Sequence, residues 1–274
     1  MKTRQLFTAI FISILPGCSV AKKGDNDEAR IIYPGSCPGI STQTKTMIAT
    51  LADHINHAAV PDTLLSDFKT LGILKKKLNA EFREYSSLGS KAGIDSCAKE
   101  IETVMPFLKM VWSEEGTAPV FTFHNGNLLR KAKQTKGESD DQLFELLNET
   151  WSAYGENMIT FPEWLKPVTD LSGYSKLGDG IHTQLLKKIA ALKKQNNVII
   201  QEEADKLYGL VTDDLLSKNS YGNPRESVLK ELQGIIDEKN LVSETDHQKL
   251  TERKKQLQTE KLQFDCKTGN CHFE

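Results

Sequence analysis

The side chains best equipped for chemistry are the cysteines and histidines, and three of them lie together at the end of the chain. Cys266 and Cys271 are separated by Lys267-Thr268-Gly269-Asn270 and followed at once by His272. Two thiols at that spacing can close a small ring, because Gly269 and Asn270 tolerate the positive φ of a tight turn. Cys37 and Cys97 complete a set of four, with Cys18 apart from them near the N-terminus. Four thiols permit three pairings. The most local one, Cys37–Cys97 with Cys266–Cys271, is the expectation. Loop-closure entropy assigns ~4 kcal/mol to the first and ~2 kcal/mol to the second.

Other candidates carry weaker patterns. His54 and His57 lie three apart and share a helix face, which can present two imidazoles to a metal. No third ligand is placed by spacing, so they read as surface or boundary histidines, and no metal is expected. His124, in "FTFHNGN", invites a general-base role with Asn125 or Asn127 as the orienting group. No G-x-S-x-G accompanies it, and the reading preferred is a turn histidine. Glu114-Glu115, Asp140-Asp141 and Asp213-Asp214 are adjacent pairs, which on a helix diverge by ~100°. They are expected to be solvated, with Asp140 capping a helix. There is no P-loop, dinucleotide fingerprint or solenoid repeat.

The compartment decides how the thiols read. Lys2 and Arg4 precede an apolar run from Leu6 to Leu15, too short to span a membrane and suited to a secretory signal. The following "LPGC", Leu15 to Cys18, resembles the lipobox of bacterial lipoproteins, with Pro16 where a small or β-branched residue is commoner. That resemblance covers the leader alone. It implies cleavage before Cys18, acylation of Cys18 and, with Ser19 next, sorting to the outer membrane. Ser19-Val20-Ala21 would alternatively suit ordinary signal peptidase and release a soluble protein, and a chance apolar N-terminus on a cytosolic protein is the third reading. An oxidising compartment favours disulfides. The tail also resembles the C-x4-C-H form of the haem attachment motif of some multihaem cytochromes. That resemblance implies two thioethers and His272 on iron, whereas the paired-thiol reading expects no cofactor.

Charge excludes one class of partner. Without residues 1–17, which hold Lys2 and Arg4 and no acid, 33 basic side chains face 37 acidic ones. Nucleic acid, which calls for a basic stripe, is not indicated.

Periodicity then supplies the elements. Met47, Ile48, Leu51 and Ile55 mark a helix ending at Pro61; Leu64, Phe68, Leu71 and Leu78 mark a second, capped by Asp62. A third is expected from Asp95 or Ser96 to about Gly116, kinked or split at Pro106. Val120–Phe123 is β-prone, with no partner strand evident. Helix resumes at Leu128 and again around Leu143–Trp151. Half of the chain's twenty aromatic residues fall in 107–174, a Pro- and Gly-punctuated stretch that serves either as a binding surface or as the lid of a core. One long helix, ~55 Å at 1.5 Å per residue, is expected from Ile181 to Lys218. Asn223 should cap the next, with Pro224 at its first position. Sixteen of residues 225–263 are charged, which makes them an exposed arm or the outer layer of a bundle.

The organisation expected is therefore all-α, a helical core plus a long antiparallel hairpin, disulfide-stapled. Residues 1–17 are the signal and 18–36 the lipidated cysteine and tether. The core spans 37–175, the hairpin 176–265 and the closed tail 266–274. The function expected is a non-enzymatic scaffold, anchored in lipid through Cys18, that holds an envelope protein, with the hairpin reaching out to it. A helical binder of a small ligand or haem, and a hydrolase using His124, are the alternatives.

Overall fold

The computed structural model describes residues 37–87, 89–112, 119–151, 161–168, 173–268 and 271. Cys18, Glu114-Glu115 and His272 lie outside them. The chain is mostly helical. Helix α1 (Thr42–His57) is capped by Ser41, whose hydroxyl accepts from Thr44 N–H. Pro61 sits at the start of α2 (Pro61–Ser86), where its missing N–H costs nothing. Asp62, expected as the cap, is in the first turn and accepts from the Asn197 amide at 3.0 Å.

The third helix departs from expectation at both ends. α3 (Lys91–Val104) opens at Ser90, whose side chain takes Gly93 N–H, not at Asp95 or Ser96. Asp95 instead accepts from the Trp112 indole at 2.8 Å. The helix stops before Pro106, which has no N–H to continue the ladder. The apolar residues beyond it form β1 (Leu108–Trp112), paired antiparallel with β2 (Pro119–Phe123). This is the partner strand that helical periodicity had absorbed. Asn79 of α2 fixes β2 from the side: its amide donates to Phe121 O at 3.2 Å and its carbonyl accepts Phe121 N–H at 2.6 Å.

α4 (Asn125–Ala132) and α5 (Ser139–Thr150) follow, then a short ribbon of β3 (Leu165–Pro167) and β4 (Gly173–Ser175). The expected single helix over 181–218 is two, α6 (Ile181–Leu192) and α7 (Val198–Ser217). Asn197 breaks it, because its side chain accepts from Ile199 and Ile200 N–H and so caps a new start in place of continuing the old helix.

α8 (Arg225–Asp237) and α9 (Glu244–Thr259) close the fold. Pro224 is at the cap position of α8, and Asn223, expected there, is buried and donates to Lys176 O and Leu177 O. α6 packs on α5, and α7 packs on α2, α5 and α9. Val228, Leu232, Ile235, Leu250 and Leu257 are fully buried in the same apolar cluster as Ile48 and Phe82. Among the described residues, the charged segment thus packs as an outer layer of the bundle. Each of its helices needs only one buried stripe.

Cys37–Cys97 staples the segment before α1 to α3, and Cys266–Cys271 closes the tail, with Cα separations of 4.9 and 5.0 Å. Gly39 follows the first staple; a Cβ there would sit 2.3 Å from Tyr85 Cγ, so only glycine lets the turn close. Among the described residues, no helix is long and apolar enough to cross a membrane.

Candidate binding groove

Where α2 crosses α7, the packing leaves a groove of about 590 Å³. Its floor is Phe68, Phe123, Leu147, Trp151 and Leu207. The helical repeat of α2 puts Phe68 inward and Ile73 outward. The β1–β2 ribbon brings Phe123 onto Phe68, with ring centroids 5.0 Å apart, and α5 adds Phe144 edge-on to Phe68 at 5.1 Å. Such tilted and edge-on pairs hold rings in fixed orientations. At the mouth, Ile73 is 59% exposed and Leu210 42%.

The rim is charged, mostly with cations. Lys69 pairs with Glu202 at 3.0 Å, and Lys206 pairs with Glu203. Lys75 lies with its ammonium 4.0 Å from the centre of the Phe123 ring, a cation–π contact. Neither Lys75 nor Lys76 has a carboxylate partner among the described residues. Burial pushes the Lys75 amine below its ordinary pKa; Glu203 opposes this, and Lys76 and Lys206 reinforce it. In the wall, Asn125 donates to Leu147 O at 3.2 Å, while its own carbonyl oxygen is buried without a partner.

A larger and more polar cleft, about 1010 Å³, lies between α6 and the loop leading into α9. Its Lys187 and Lys193 are paired with Glu238 and Asp205, and its Tyr208 donates to Asp246 at 2.7 Å.

The residues singled out in the sequence have mostly structural work. His124 caps α4, with Nδ1 accepting Asn127 N–H at 3.2 Å. That assigns its proton to Nε2, and burial lowers its pKa, which keeps the ring neutral. His57 is turned back onto Asp53, and His54 Nδ1 stands 3.9 Å from Asp67. No group of three or more potential ligands is gathered for a metal among the described residues. Cys266 and Cys271 are bonded to each other, so neither thiol is free for a haem thioether.

Two of the acidic pairs are not solvated as expected. Asp140 is fully buried and does not cap α5; it accepts from the Thr135 hydroxyl at 2.9 Å and from Asp141 N–H. Asp213 is exposed, but Asp214 is buried and takes both the Ser175 hydroxyl at 2.6 Å and His182 Nε2 at 2.8 Å on one oxygen. Ser175 and His182 share that acceptor and do not bond to each other, so His182 does not activate Ser175 as a base would. All three are buried, and the knot pins the β4–α6 loop to α7. Its residues lie far apart in the chain, and no spacing signal could have joined them.

The groove was equally hidden in part. The aromatic stretch 107–174 pointed to Phe123 and Trp151, but Phe68 and Leu207 read as ordinary core positions. Comparison with family models, with curated proteins and with solved structures finds no match for the chain.

Proposed function

We propose that the protein is a lipid-anchored, non-enzymatic binding protein of a bacterial envelope. Acylated Cys18 holds it to the membrane, probing outward on the tether 19–36, and the α2–α7 groove takes the apolar part of a guest. The groove carries this reading. About 590 Å³ falls in the range of small-ligand pockets, and an aromatic floor with a few polar groups is their usual make-up. The two disulfides support an oxidising compartment. The lipobox-like leader supports the anchor.

A second reading, a scaffold that holds an envelope protein, is favoured by Ile73 and Leu210, which a protein surface would cover. One experiment addresses both. A photo-crosslinking residue replaces Ile73 in the full chain, expressed in its own envelope and labelled with a fatty acid. Labelling lost in Cys18→Ser supports the anchor. A crosslink to one protein of defined mass supports the scaffold, and a crosslink to an extractable small molecule supports the pocket. The absence of both crosslinks would refute a binding role for the groove.

A further inference from the structure

The groove has an apolar body and a cationic end where two lysines lack an ion pair among the described residues, and those two features together describe a guest. Of the lysines on its rim, Lys69 and Lys206 are neutralised within the fold by Glu202 and Glu203. Lys75 and Lys76 are not. Lys75 is half-buried and lies against the Phe123 ring, so part of its hydration has been given up for that ring and for the charge of Glu203, whose own ion pair is with Lys206. A cation–π contact of this sort is worth less than a charge-assisted hydrogen bond to an anion. The site therefore favours an anion at Lys75 and Lys76, next to apolar rings.

We propose that the α2–α7 groove binds a single-chain amphiphile with an anionic head. The head sits between Lys75 and Lys76, and the chain lies over Phe68, Phe123, Trp151 and Leu207. This rests on the binding role proposed above and names the class of its guest. A carboxylate and a phosphate head share the required charge and acceptor oxygens, so a free fatty acid and a single-chain phospholipid are two sources of one chemistry.

The test uses the full chain in its membrane and a dodecanoate bearing a photoreactive diazirine, with labelled peptides mapped by mass spectrometry. Label should appear on the peptides carrying Phe68, Phe123 and Trp151. Unlabelled dodecanoate and dodecyl phosphate should compete at concentrations about tenfold lower than dodecanol or dodecyltrimethylammonium, the effect of about one good charge-assisted contact. The better competitor of the two anions identifies the source. Lys75→Met with Lys76→Met should erase the tenfold preference while leaving apolar labelling. Gly72→Leu should fill the groove and abolish labelling. The first atom of that side chain meets only Phe123 Cζ at 3.8 Å, and leucine is a better helix former than glycine, so the fold is kept. Labelling without headgroup preference overturns the anionic guest and leaves the groove as a binding site. Absence of label from those peptides, with both disulfides intact, overturns the guest and the binding role together.

Discussion

His182 Nε2 stands 2.8 Å from Asp214 Oδ2, and both side chains are shut away from water. One end of α6 is thereby tied to the far end of α7, and the same carboxylate oxygen also holds Ser175. Glu231 of α8 completes the junction by accepting from Gly180 N–H at 2.9 Å and Thr183 N–H at 3.1 Å. The cap position of α6 is Gly180, at φ 82°, and glycine has no side chain to cap the helix, so Glu231 takes that role.

The pair Asp213-Asp214 accordingly separates into a silent and a costly position. Asp214→Ala strands a buried hydroxyl and a buried imidazole, and should destabilise the fold by about 2–4 kcal/mol. Asp213→Ala should fall within about 0.5 kcal/mol of wild type. Urea titration of both variants checks this, and equal costs would mean the knot contributes nothing.

Asp140 makes stability depend on pH in the less usual direction. Burial raises its pKa above 3.8, against the pull of the Thr135 hydroxyl and backbone N–H groups. The folded state therefore holds the proton more tightly than the unfolded one. Stability falls as pH rises from 3.8 through the folded value, then levels off. Asp140→Asn removes that step, and the Thr135 hydroxyl can turn to accept from the amide. The variant should gain on wild type across this window and keep a constant advantage above it, as followed by thermal melts at several pH values.

The two staples should differ in worth. Replacing Cys37 and Cys97 by serine opens a loop twelve times longer in sequence separation, 60 against 5, than replacing Cys266 and Cys271. The expected losses are about 4 and about 2 kcal/mol. Denaturant midpoints of the two double variants decide the order.

Arg253 joins α9 to the end of α7. Its guanidinium donates to Lys218 O, to Asn219 Oδ1 at 3.3 Å and to Tyr221 Oη at 3.1 Å. Arg253→Met should cost about 2–3 kcal/mol, because the buried acceptors lose a charged donor. Deleting residues 219–274 should go further and expose Leu207, Val211 and Leu215, giving a chain that aggregates or melts without cooperativity. A truncated chain that stays folded, with Cys37–Cys97 formed, would show the outer layer to be dispensable.

Amphipathic spacing alone was enough to find α1, α2 and α5, because a helix that must bury one face writes that face into every third or fourth residue. Cysteine number and locality were enough to pair the four thiols. Where two physical reasons competed for the same residues, periodicity misled. Leu108 and Val111 fit a helix as well as a strand, and only the stop at Pro106 together with the partner β2 made them β. Ile181 to Leu215 kept a helical rhythm across Asn197, and the cap formed there broke it. The assembly of the groove and of the Ser175–His182–Asp214 knot belongs to the tertiary structure, although the aromatic stretch 107–174 already held Phe123 and Trp151. Phe68, Lys75, Phe123 and Leu207 come from different elements, and so do the three residues of the knot. A lysine left without an acid, or an aspartate buried with a histidine, is a property of what the fold places beside it, which local sequence does not encode.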